Sequence, residues 1–179
     1  MHTKNKVFWI TRTAIFIAML VVIQITTAPM GNTILTGSIV NLLLIVSAMI
    51  CGPVSGLLVG AVSPVMARFL GIGPLWSLIP FIIAGNAALV CVWHILGNRN
   101  IEHKHAAGIT ALLYAAIAKF LVLYIGIVRI MVPVFLGLPE QQAAVISAMF
   151  SFPQLVTALI GGALAHALLP SLKKQIIIT

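Results

Sequence analysis

Apolar runs dominate the chain, and polar or Gly/Pro clusters cut them into stretches at residues 8–28, 36–51, 54–70, 75–96, 106–131 and 143–169. A transmembrane helix needs about 20 mostly apolar residues, so the pattern predicts an all-α integral membrane protein. The expected architecture is a bundle of about six transmembrane helices forming a single membrane domain over residues 1–179. The second and third stretches are short and separated only by Gly52-Pro53; a bent hairpin, or tilted helices that do not fully cross, also fits them. The first stretch has the outline of a secretory signal, with Lys4, Lys6 and Arg12 ahead of an apolar core and Thr27-Ala28 as a cleavage-like site. Its uninterrupted core is long for a signal, which favours a retained helix.

Composition strengthens the membrane assignment. With 61% apolar residues, 7% charged residues and a mean hydropathy of +1.19, the chain lacks the roughly one-quarter charged content of soluble domains. Residues 39–67 carry no charge at all, which points to lipid as the solvent. The formal charge of +8 is scattered and not gathered with aromatics on a polar face, so it does not indicate nucleic acid. Cys51 and Cys91 stand alone in apolar segments, where an inert thiol is the ordinary state. No phosphate-binding loop, dinucleotide fingerprint or acidic pair occurs, so no cofactor is expected and this chain alone cannot hydrolyse ATP.

Orientation follows from the cations, because short cytoplasmic loops retain Lys and Arg. A cytoplasmic N-terminus puts Lys4, Lys6, Arg12, Arg99, Lys104, Lys173 and Lys174 on the cytoplasmic side, with both termini there. The other three, Arg68, Lys119 and Arg129, fall at the outer end of helix three, mid-helix five and the outer end of helix five. The arginines can snorkel to headgroups. Lys119 is harder to place: a charge at mid-bilayer depth costs about 2.5–3.5 kcal/mol on insertion scales, and the two acids, Glu102 and Glu140, both lie in loops. A bound anion or a polar cavity explains it economically; a backbone carbonyl or Asn86 inside the bundle is the structural alternative.

Polar segments cluster on the same outer side, at residues 29–36, 71–76 and 133–142, where they could form a lid. Asn32, Thr36, Asn41, Trp76, Asn86 and Gln154 add neutral hydrogen-bonding groups and an aromatic surface. With the three cations they form a candidate site for a small organic solute, although amides inside helices also serve to join helices. Small residues recur at four-residue spacing in Ala14/Ala18, in Gly52/Gly56/Gly60 and in Ala158/Gly162. Such spacing allows close helix approach, within the bundle or against another membrane protein.

Two isolated motifs suggest other chemistries. Ser55 in Gly52-Pro-Val-Ser-Gly56 with His166 suggests an intramembrane serine hydrolase, but Ser55 lacks nucleophile-elbow spacing and would have to share a depth with His166. His2 and the Glu102-His103-Lys-His105 group suggest metal, but a divalent site needs three or four converging donors, and a solvated loop suits that group better. A self-sufficient secondary transporter of a small solute or metal ion remains an alternative, although residues 1–90 and 91–179 show no inverted repeat and no acid is embedded in the membrane.

Taken together, the length, the helix count, Ala14-x-x-x-Ala18 after a basic N-terminus, Thr36-Gly-Ser-Ile-Val-Asn41, Gly52-Pro-Val-Ser-Gly56 and Ile83-Ala-Gly-Asn86 resemble one family over nearly the whole chain. It is the substrate-binding membrane subunit (S component) of energy-coupling-factor (ECF) vitamin transporters, a type of ABC transporter. The resemblance implies a non-catalytic subunit of the bacterial plasma membrane. It would capture a vitamin from outside and associate through Ala14 and Ala18 with a transmembrane coupling protein and two cytoplasmic ATPases, which bind the ATP. The vitamin is then cargo and not a cofactor. Outer cations with hardly any acid favour an anionic vitamin; pantothenate and cobalamin rank first, with folate or another anionic vitamin also open.

Overall fold

The computed structural model describes residues 2–97 and 104–177. It is an all-α bundle, in agreement with the hydropathy pattern. The α-helices are α1 (His2–Thr27), α2 (Thr33–Cys51), α3 (Pro53–Phe69), α4 (Ile79–Gly97), α5 (Lys104–Leu123), α6 (Glu140–Met149) and α7 (Phe152–Ile177). The segments Lys6–Met30, Thr33–Cys51, Trp76–Gly97, Ala106–Phe135 and Glu140–Leu172 are long and apolar enough to cross a membrane. The shorter α3 has 17 residues, which at 1.5 Å per residue reaches about 25 Å, less than a 30 Å hydrocarbon core.

Helix α2 is the central element. It packs against α1, α3, α4 and α7, while α5 bridges α4 and α7. The α2–α3 turn is a tight reversal at Gly52, whose φ of +95° is open to glycine but not to most side chains. It makes an antiparallel hairpin in which Gly56 meets Ala48 and Gly60 meets Leu44.

Three local features differ from the hydropathy reading. Asn32 caps α2, its Oδ1 accepting from the backbone N–H groups of Ile34 and Leu35, so this helix starts at Thr33 and not at residue 36. Helix α5 runs on as a π-helix, Tyr124–Phe135, past residue 131. The last apolar stretch is interrupted at Phe150 and Ser151, which separates the short α6 from α7.

The main apolar core joins Leu20, Leu44, Ile45, Val59, Leu89, Val90, Trp93 and small residues of α5 and α7 such as Ala111, Ala115 and Ala165. A second cluster, Leu78, Leu123, Ile127, Val132 and Phe150, lies toward the end that carries the α1–α2 turn. Many large apolar side chains face outward, among them Ile15, Met19, Val22, Ile117 and Leu121. Helix α1 buries Thr13, Leu20, Gln24 and Thr27 instead. In lipid this costs nothing, because apolar surface belongs outside and polar groups must find partners within.

Candidate functional site

A cavity of about 490 Å³ opens at the bundle end formed by the α1–α2, α3–α4 and α6–α7 connections. Its floor is polar. Lys119, on α5, is 4% exposed, and its Nζ donates to Asn41 Oδ1 at 2.6 Å and Asn86 Oδ1 at 2.8 Å. All three residues line the cavity.

The orientation of each amide has a traceable cause. Pro64 sits inside α3 and has no N–H to give the carbonyl of Gly60 four residues earlier. Asn86 Nδ2 donates to that carbonyl instead, at 2.8 Å, which turns Asn86 Oδ1 toward Lys119. On the other side, the Thr157 hydroxyl donates to the Gln154 carbonyl, so toward Asn41 it can only accept, and Asn41 Nδ2 donates to it at 3.3 Å. Asn41 Oδ1 is thereby aimed at Lys119. Gly161 allows this approach of α7 to α2: a Cβ there would stand 2.5 Å from the Ser38 carbonyl oxygen and 2.7 Å from Asn41 Cβ.

An ammonium carries three N–H donors; the two amide oxygens take two of them. Among the described residues the one acid, Glu140, is exposed at the start of α6 and does not line the cavity; Glu102 lies outside them. Among the described residues the cation therefore has neutral partners only, an arrangement complementary to an anion.

The remaining predicted residues divide. Arg68 lines the cavity near its mouth, its guanidinium 5.9 Å from the Trp76 ring centroid. Asn32, Thr36 and Gln154 also line it but hold structure as well. The Thr36 hydroxyl donates to Thr27 Oγ1 at 2.8 Å, with the Asn32 carbonyl a more distant acceptor at 3.3 Å, and Gln154 Nε2 donates to the Met149 carbonyl across the α6–α7 break. Trp76 and Arg129 are not among the cavity-lining residues: exposed Trp76 meets Phe69 edge-on, and Arg129 lies over Tyr124 on an exposed face of the π-helix. Ala14 and Ala18 are exposed on α1 beside Ile15 and Met19.

Sequence reasoning passed over Gln24, Thr27 and Ser63, which line the same cavity. Gln24 could have been found as the lone amide in Val21-Val-Ile-Gln-Ile25, since a polar side chain in a lipid-spanning run is usually turned inward. Among the described residues, no group of three or more His, Cys, Asp and Glu could hold a metal; Glu102 and His103 lie outside them. Ser55 is buried and accepts a hydrogen bond from Thr13, and His166 packs against Gly108.

A family profile described as "ECF transporter, substrate-specific component" matches residues 9–172. No curated protein matches, and no solved structure matches.

Proposed function

The chain belongs to the substrate-specific components of ECF transporters, and from that premise we propose that its cavity captures a small anionic vitamin, with pantothenate the best fit. The observation that carries this is the buried Lys119 ammonium, held by two neutral amide oxygens at the floor of an open cavity. A ligand carboxylate supplies the missing counter-charge and accepts the third N–H. Size favours pantothenate of the two vitamins ranked first. About 490 Å³ is the lower range of small-molecule sites; it suits a compact chain such as pantothenate and is far too small for an enclosed corrin. The apolar part of the ligand meets Ile72, Leu78, Ile82 and Phe150, and Arg68 adds a second positive charge toward the mouth.

In this reading both termini are cytoplasmic and the cavity opens outside, as the distribution of Lys and Arg favours. The exposed Ala14/Ala18 face of α1 docks against a coupling protein, whose two ATPases supply the energy that this chain cannot. The test is a titration of the purified, detergent-solubilised chain with pantothenate, folate, cobalamin, thiamine and biotin, followed by tryptophan fluorescence and calorimetry. One-to-one binding of pantothenate is expected. Tight binding of thiamine, a cation, with none of pantothenate would overturn the assignment.

A further inference from the structure

We propose that Gln24 is a specificity-determining residue that accepts a hydrogen bond from a hydroxyl of the ligand, so that the cavity selects a carboxylate also bearing a hydroxyl. This rests on the anionic-ligand reading above and adds a second recognition element to it. Gln24 is 3% exposed, yet it belongs to the cavity lining.

The orientation of its amide is fixed by chemistry. One end lies 3.0 Å from the backbone carbonyl of Ser63 and 3.1 Å from Ser63 Oγ. A carbonyl can only accept, so the end facing it must be the Nε2 donor. The other end is then the carbonyl oxygen, and Oε1 is buried without a hydrogen-bond partner. A buried acceptor left unpaired costs about as much as a lost hydrogen bond, and within a membrane no lipid tail can relieve it. Asn41 and Asn86 commit both ends of their amides to protein partners; Gln24 commits only one. An acceptor that is fixed in orientation, belongs to a cavity-lining residue and lacks a partner among the described residues is matched by a donor on the cargo.

Lys119 and Gln24 sit on different helices of the same cavity, α5 and α1. They therefore define a bifunctional ligand, anionic at one point and hydrogen-bond donating at another. A site built to pair with a hydroxyl rejects the analogue lacking it more strongly than an apolar site rejects an added group, because the protein group is left stranded.

The experiment compares calorimetric affinities of wild type, Gln24→Met and Lys119→Met for pantothenate and for its analogue with both pantoyl hydroxyls replaced by hydrogen. Wild type should prefer pantothenate by about ten-fold or more, Gln24→Met should lose that preference while still binding both carboxylates, and Lys119→Met should weaken both. If Gln24→Met does not fold, Gln24→Asn, which keeps an amide but retracts it by one methylene, serves the same comparison. Equal binding of the two carboxylates by wild type, or an undiminished preference in the Gln24 variant, would overturn the role of Gln24 and leave that of Lys119 standing. Failure of both carboxylates to bind folded wild type would overturn both.

Discussion

Replacing Asn41 by Asp changes one atom type and gives Lys119 a counter-ion inside the protein. The oxygen now 2.6 Å from Nζ becomes part of a carboxylate. The other new oxygen takes the place of the amide nitrogen facing Thr157, whose hydroxyl can turn to donate to it. Shape is kept, and the buried cation gains a partner, so the fold should tolerate the change. Ligand binding should not. A ligand carboxylate beside Lys119 would lie about 5 Å from the new charge, and two like charges at that distance repel by roughly 3 kcal/mol at an effective dielectric of about 20. At about 1.4 kcal/mol per factor of ten, pantothenate affinity falls about a hundred-fold. Panthenol, the neutral alcohol analogue, feels no such repulsion and should bind the variant and wild type within a few-fold of each other. The assay is calorimetry on both proteins with both ligands, with thermal melting in detergent to show that each is folded. Unchanged pantothenate affinity, or an equal loss for panthenol, would refute the claim that the floor of the cavity reads negative charge.

Gly161→Ala should lower the melting temperature and weaken binding together, because its methyl would meet the Ser38 carbonyl and Asn41; overpacking of this kind costs about 1–3 kcal/mol. An unchanged melting curve would contradict the tight α2–α7 contact. Ala14→Leu and Ala18→Leu should leave vitamin binding intact but abolish uptake by cells expressing the whole transporter. Both side chains are exposed, and added bulk blocks a close helix contact, so full uptake in both variants would remove the docking role. Pro64→Ala should restore an intrahelical donor to the Gly60 carbonyl, compete with Asn86 for it and loosen the hold on Lys119. The expected readout is weaker pantothenate binding in a protein that melts no lower than wild type.

The features most legible in the sequence were those set by lipid. Long apolar runs must be helical where no water can satisfy the backbone, and Lys119 stood out because a charge in such a run needs a reason. Asn41 and Asn86 were recognised as polar groups inside helices; their convergence on one ammonium depends on how α2, α4 and α5 pack, which periodicity does not encode. The contribution of Pro64 was hidden for the same reason, since a proline in a helix announces a free carbonyl but not the side chain that satisfies it. Arg129 and Trp76 were grouped with the site by their position along the chain, and the structure turns Arg129 to an exposed face and leaves Trp76 outside the cavity lining. The α6–α7 break is not legible because residues 143–169 read as one apolar run, whereas Phe150 turns into the second core cluster and Gln154 bonds back to Met149.

Lys119→Met probes the anion site most directly. Methionine keeps most of the length and apolar bulk of the stem but removes the charge and every donor, and a charge-assisted hydrogen bond contributes about 1.5–3 kcal/mol. Calorimetric titration of wild type and Lys119→Met with pantothenate should show one-to-one binding by wild type and at least about a ten-fold loss in the variant. Equal affinity in the two folded proteins would mean that Lys119 is structural and that the anion is held elsewhere.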